Sequence, residues 1–85
     1  MGSRCFELFV KAKANPRSLR FAELKTLCQC AGLQHDRTSG SHLIFRRNAP
    51  FFLLSIQRMP DGRAKPYQVR QLIELIETHK LIAEE

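Results

Sequence analysis

No apolar run in this 85-residue chain approaches the length of a membrane span, and the N-terminus lacks the apolar stretch and cleavage site of a signal peptide. The expectation is a protein that works away from the membrane. Cysteine is scarce and odd in number. Cys5, Cys28 and Cys30 sit in helical patterns, which reads as reduced thiols in a cytoplasm, packed as small apolar residues. Cys28-Gln29-Cys30 has the wrong spacing for a zinc knuckle, and no second ligand pair follows it. Neither His35 nor His79 has metal-ligand spacing to another His, Cys or acid. There is no Walker loop, no nucleophile elbow and no paired-carboxylate site. The expected inventory therefore contains no metal and no cofactor. Repeats and low-complexity linkers are also missing, and the length allows one domain with one core.

Acidic residues are rare where basic ones are dense. Residues 37–70 carry Arg37, Arg46, Arg47, Arg58, Arg63, Lys65 and Arg70 against Asp61 alone, a net of +6. Residues 1–36 carry +3 and the last fifteen residues −3, so the whole chain stands at +6. A basic centre in a small domain points first to a polyanion, most often nucleic acid.

The hydrophobic pattern divides the chain into six elements. Residues 4–14 read as a short helix through Phe6, Phe9, Val10 and Lys13, ended by Asn15-Pro16. A second helix over about 20–31 carries Phe21, Leu24, Leu27, Cys28 and Ala31 on one face, with Gly32 as its left-handed terminator. Leu33 to Thr38, Ser41 to Arg47 and Phe51 to Arg58 read as strands, and their short connections predict antiparallel hairpins. Pro60-Asp61-Gly62 marks a turn. Pro66 then opens a helix to about His79, striped by Val69, Leu72, Ile73 and Ile76. The expected class is α+β. Its last five elements run α-β-β-β-α, the order found in double-stranded-RNA-binding domains, with an extra helix in front.

Two places hold chemistry-bearing residues. Ser39-Gly40-Ser41-His42 delivers a histidine to the start of a strand, and histidine titrates near neutrality. Alternation puts His42, Ile44 and Arg46 on one face and Leu43, Phe45 and Arg47 on the other. Leu43 and Phe45 make the better core pair, which leaves His42 and Arg46 on the open side. Gly40 permits the tight turn, and the Ser41 hydroxyl suits a phosphate or the imidazole. The second place is the start of the last helix, where Arg63, Lys65 and Arg70 surround backbone N–H groups that favour a phosphate.

Gly40-Ser41-His42 followed by Leu43-Ile44-Phe45, the Pro60-to-Pro66 turn, and Lys65-Pro66-Tyr67-Gln68-Val69-Arg70-Gln71 resemble the HicA toxins of bacterial and archaeal HicAB toxin–antitoxin systems. The resemblance covers roughly residues 20–80, leaving 1–19 as a helical extension and 81–85 as an acidic tail. It implies a double-stranded-RNA-binding-like fold and metal-independent endoribonuclease activity on messenger RNA in the cytoplasm. It also implies that His42 is the residue needed for cleavage and that a HicB-like antitoxin is the protein partner. Many short HicA proteins carry a second histidine after a proline near the end of the third strand. Here that place reads Met59-Pro60-Asp61-Gly62. A module that binds RNA without cutting it, or binds the antitoxin alone, is the alternative reading. The added helix is expected either on the sheet or in a dimer contact.

Overall fold

The computed structural model describes residues 3–83. Three helices and a three-stranded antiparallel sheet form an α+β fold. The order is α1 (Arg4–Ala14), a 3-10 turn (Pro16–Ser18), α2 (Phe21–Cys30), β1 (Gln34–Ser39), β2 (His42–Asn48), β3 (Phe51–Gln57) and α3 (Pro66–His79). Among the described residues no helix is long and apolar enough to cross a membrane. Glu84 and Glu85 of the expected acidic tail lie outside the described residues, whereas Leu81 and Ile82 pack against the core.

Each element starts and stops for a local reason. The Ser3 hydroxyl accepts the Phe6 N–H at 3.0 Å and caps α1, satisfying a donor that has no partner within the helix. At the other end of α2, Gly32 takes φ +83°, and the Gly32 and Leu33 N–H groups return to the carbonyls of Gln29 and Cys28. The β1–β2 hairpin closes on Gly40-Ser41 with Gly40 at φ +59°, the two-residue turn whose first position favours glycine. The turn from β2 to β3 contains a cis Ala49–Pro50 bond. Pro66 starts α3, and Lys80 ends it in the left-handed region at φ 51°.

The sheet has one covered face and one open face. Phe45 stands opposite Leu54 and Leu43 opposite Ile56, and these four point toward the helices. Leu24, Leu27 and Cys28 of α2 and Val69, Leu72, Ile73 and Ile76 of α3 complete the same core. On the other side His42, Arg46, Asn48, Phe51, Leu53 and Ser55 are exposed. The alternation read from the sequence is therefore the alternation of the structure, and His42 and Arg46 do share the open face.

Two expectations need correction. First, α1 buries Leu8, Phe9 and Ala12, with Cys5 on the same i, i+3, i+4, i+7 stripe, while Val10 is 47% exposed. The stripe read through Phe6, Phe9, Val10 and Lys13 is rotated by one residue, because Phe6 at the edge of the stripe outweighed Leu8 and Ala12. The helix packs mainly against α2 and α3, joining their core at its rim instead of covering the sheet. Second, Cys5 and Cys30 are joined in a disulfide, with Cα atoms 5.5 Å apart. Residues two apart on a helix point to different sides, so Cys28 turns inward and Cys30 turns toward α1. Only Cys28 fits the expectation of a buried free thiol, and burial pushes its pKa up to about 12. The inference from reduced thiols to a cytoplasm loses its basis.

Candidate functional site

The sheet register sets the centre of the site. His42 opens β2, faces Ser39 on β1 and stands directly opposite Gln57 on β3. Side chains paired in this way hold their Cβ atoms about 5 Å apart. His42 is exposed, and among the described residues no hydrogen bond reaches its ring. The turn that presents it is held from the neighbouring strand: Gln57 Nε2 donates to Ser41 Oγ at 2.7 Å.

Gln57 is also the link to α3. Its Oε1 accepts a bond from Lys65 Nζ at 2.6 Å, and its backbone N–H donates to Gln68 Oε1 at 3.0 Å. Gln68 is only 3% exposed, so this bond satisfies a buried amide oxygen. Gln68 Nε2 donates in turn to Tyr67 Oη at 3.3 Å. A hydrogen-bonded chain thus runs from Ser41 through Gln57 to Lys65 and to the first turn of α3, immediately across the strand from His42. Ser41 supplies a hydroxyl, Lys65 a positive charge and His42 a proton acceptor or donor. All three stand around Gln57: Ser41 and Lys65 bond to its side chain, and His42 is its cross-strand partner.

The remaining predicted site residues are distributed elsewhere. Arg46 lies on the same face as His42 but four residues along β2, about 13 Å away at the rise of a strand. There its Nε donates to Asn48 Oδ1 at 2.9 Å, and its guanidinium sits 5.3 Å from the centre of the Phe51 ring. Arg70 lines a groove with Ala12, Lys13, Pro16, Glu74 and Glu77, on the side of α3 that meets α1. Arg63 bonds to Asp61 through its own N–H and faces Arg17 and Arg20. Gly40 contributes backbone shape, and a Cβ placed on it would meet no atom within 4 Å.

The other two histidines have packing roles. His35 lies against Phe45 at 5.7 Å and bonds to Thr38 Oγ1 at 3.0 Å, and His79 packs on Phe52 at 4.8 Å. Among the described residues no three His, Cys, Asp or Glu side chains gather as a metal site.

Gln57 and Gln68 were missed from sequence. The signal for Gln68 was present: it occupies a stripe position one turn before Leu72, where the pattern calls for an apolar residue. Gln57 offers a weaker clue, being the polar end of an apolar strand.

Comparison with known proteins returns no match: no family model, no curated protein and no solved structure is significantly similar to this chain.

Proposed function

We propose that this chain is an endoribonuclease toxin of the HicA kind, built on a double-stranded-RNA-binding-like fold and held in check by a HicB-like antitoxin protein. The observation that carries this reading is the Ser41–Gln57–Lys65 chain set across the strand from His42. The α-β-β-β-α order and the basic centre agree with an RNA substrate.

In this mechanism the ribose 2′-hydroxyl gives its proton to His42, and the 2′-oxygen attacks the adjacent phosphorus. The bond to the 5′-oxygen breaks, and that oxygen takes a proton from water. Lys65 offsets the negative charge gathering on the non-bridging oxygens. Arg46, about 13 Å along β2 from His42, stands too far away for that part. The products carry a 2′,3′-cyclic phosphate and a 5′-hydroxyl. Replacing His42 by alanine is expected to lower RNA cleavage by about 10²-fold or more and to abolish growth arrest on expression. The reading is wrong if the folded His42→Ala protein still cuts RNA at the original rate. Ends with 3′-hydroxyl and 5′-phosphate would rule out the cyclic route.

One observation favours a second reading, an RNA-binding module without catalysis. Among the described residues the His42 ring has no hydrogen-bonded orienting partner of the kind that fixes the tautomer of a general base. RNA retarded in a gel yet intact after prolonged incubation with purified wild-type protein would select it.

A further inference from the structure

The β3–α3 connection brings together arginines that are far apart in sequence. Arg58 follows Gln57 and bridges to Ala64, the residue before Lys65, and Arg63 bridges to Arg20 at the start of α2. The Phe21 N–H donates to Gly62 O and the Ala64 N–H to Leu19 O, so the loop is stitched to the residues preceding α2. Gly62, buried at φ +90°, is the point where two guanidinium groups converge. Arg20 Nη2 and Arg58 Nη2 each lie 3.3 Å from the position a Cβ would occupy there. Beside them a groove of about 410 Å³ is lined by Asn15, Arg17, Ser18, Arg20 and Arg63.

The nearby carboxylates are already engaged. Glu23 accepts bonds from Lys11 and from the Arg20 backbone, and Asp61 lies 3.7 Å from Arg63 Nε. No acidic partner of the Arg17, Arg20 or Arg58 side chains is present among the described residues. Holding like charges as neighbours opposes folding, and their position at the N-terminus of α2 sets them against the positive end of the helix dipole. Arg20 also occupies the N-cap position, where a short polar residue would stabilise the helix. A local rule broken several times at one place points to a ligand that repairs it. The repairing ligand is an extended anion.

We propose that Arg17, Arg20, Arg58 and Arg63 form a clamp for the phosphodiester backbone of the RNA strand that runs away from the His42 site. The proposal rests on the reading of that site as one that handles RNA. Topology links the two regions, since Arg58 adjoins the cross-strand partner of His42 and Arg63 lies two residues before Lys65. Arginine suits the task because its planar fork pairs with phosphate oxygens two at a time. The clamp draws residues from the 1–19 extension and from the main domain, giving the extra N-terminal segment a role in substrate binding.

The test uses the full chain carrying His42→Ala, so that RNA stays intact during titration. Binding of a single-stranded RNA of about twelve nucleotides is followed against salt concentration. Combining Arg17→Gln, Arg20→Gln and Arg58→Gln is expected to weaken binding at least about tenfold near physiological salt. It should also flatten the slope of log affinity against log salt by about 2, at about 0.7 per lost phosphate contact. The matching triple lysine variant should restore the slope, which loss of folding would not allow. Unchanged affinity and slope in the glutamine variant overturn the clamp, as does a flattened slope that lysine leaves unrepaired. The cleavage assay with His42→Ala reports separately on the site, so the failure of one proposal is distinguishable from failure of the other.

Discussion

At the scale of single residues, Gln57 decides whether the site is assembled. It holds Ser41 with one end of its amide and Lys65 with the other, while its backbone satisfies Gln68. Replacing Gln57 by alanine keeps the backbone bond but releases both side chains. If the site cuts RNA, the variant should lose about tenfold in kcat with little change in KM, because positioning is lost and binding charge is not. Single-turnover cleavage measures the split. Glu23 permits a second expectation. Partial burial raises the pKa of its carboxyl, but the Arg20 N–H, the Lys11 hydrogen bond and the nearby positive charges outweigh this and hold it below the ordinary 4.5. A folded-state pKa below the unfolded one contributes stability above about pH 4.5, and that contribution fades as pH falls through the lowered value. Glu23→Gln should therefore be less stable than the parent at pH 7, and the gap should narrow as pH falls below 4.5, read from urea midpoints. At this scale the sequence was informative about direction and poor on partnership. Alternation placed His42 outward and Phe45 inward, since the period of a strand admits one solution once the core pair is known. Which polar side chain stands beside His42 depends on the register of β2 against β3, and no local pattern in the chain encodes that pairing.

Elements were legible where one strong signal acts alone. Pro66 and the Val69-Leu72-Ile73-Ile76 stripe mark α3, and both hairpins follow from short connections rich in turn formers. The exception was α1, whose apolar residues fit two stripes one position apart; only contact with α2 and α3 selects Cys5, Leu8, Phe9 and Ala12. The end of α2 carries a further dependence. Arg47 Nη1 donates to Ala31 O at 2.7 Å and so brings the last residue of the covered β2 face to the C-terminus of the helix. A Cβ on Gly32 would lie 1.8 Å from that nitrogen, at a φ that side-chain-bearing residues avoid. Gly32→Ala should cost about 2 kcal/mol from backbone strain and the displaced bond together. Gly40→Ala should cost about 1 kcal/mol, since its positive φ is the same kind of penalty without the collision. Denaturant unfolding of the two variants side by side checks the difference.

For the molecule as a whole, the disulfide is the largest departure from expectation. It closes a loop between residues 25 apart in sequence and ties the start of α1 to the end of α2. On the loop-entropy account, Cys5→Ser should lower stability by about 3 kcal/mol under oxidising conditions. With a reducing agent present, variant and parent should unfold at nearly the same denaturant concentration. The pairing was hidden because two cysteines in different helices meet only after those helices have packed, and an odd count gives no hint of which one is left over. The clustering of Arg17, Arg20, Arg58 and Arg63 was hidden for the same reason. Charge density was visible along the chain, but its concentration around Gly62 is a product of tertiary folding.

The shifted register of β1 against β2 between His35 and Arg37 has an effect beyond the local twist. Both β1 and β3 are edge strands. β1 is exposed along its whole length, carries no aliphatic side chain, and has its row of outward amides broken at Asp36. A neighbouring chain finds no straight, greasy template there. β3 differs: at its start Phe51 is more than half exposed and Leu53 half exposed. Cross-β association of partly unfolded copies should therefore nucleate at β3, leaving β1 as the edge that resists stacking.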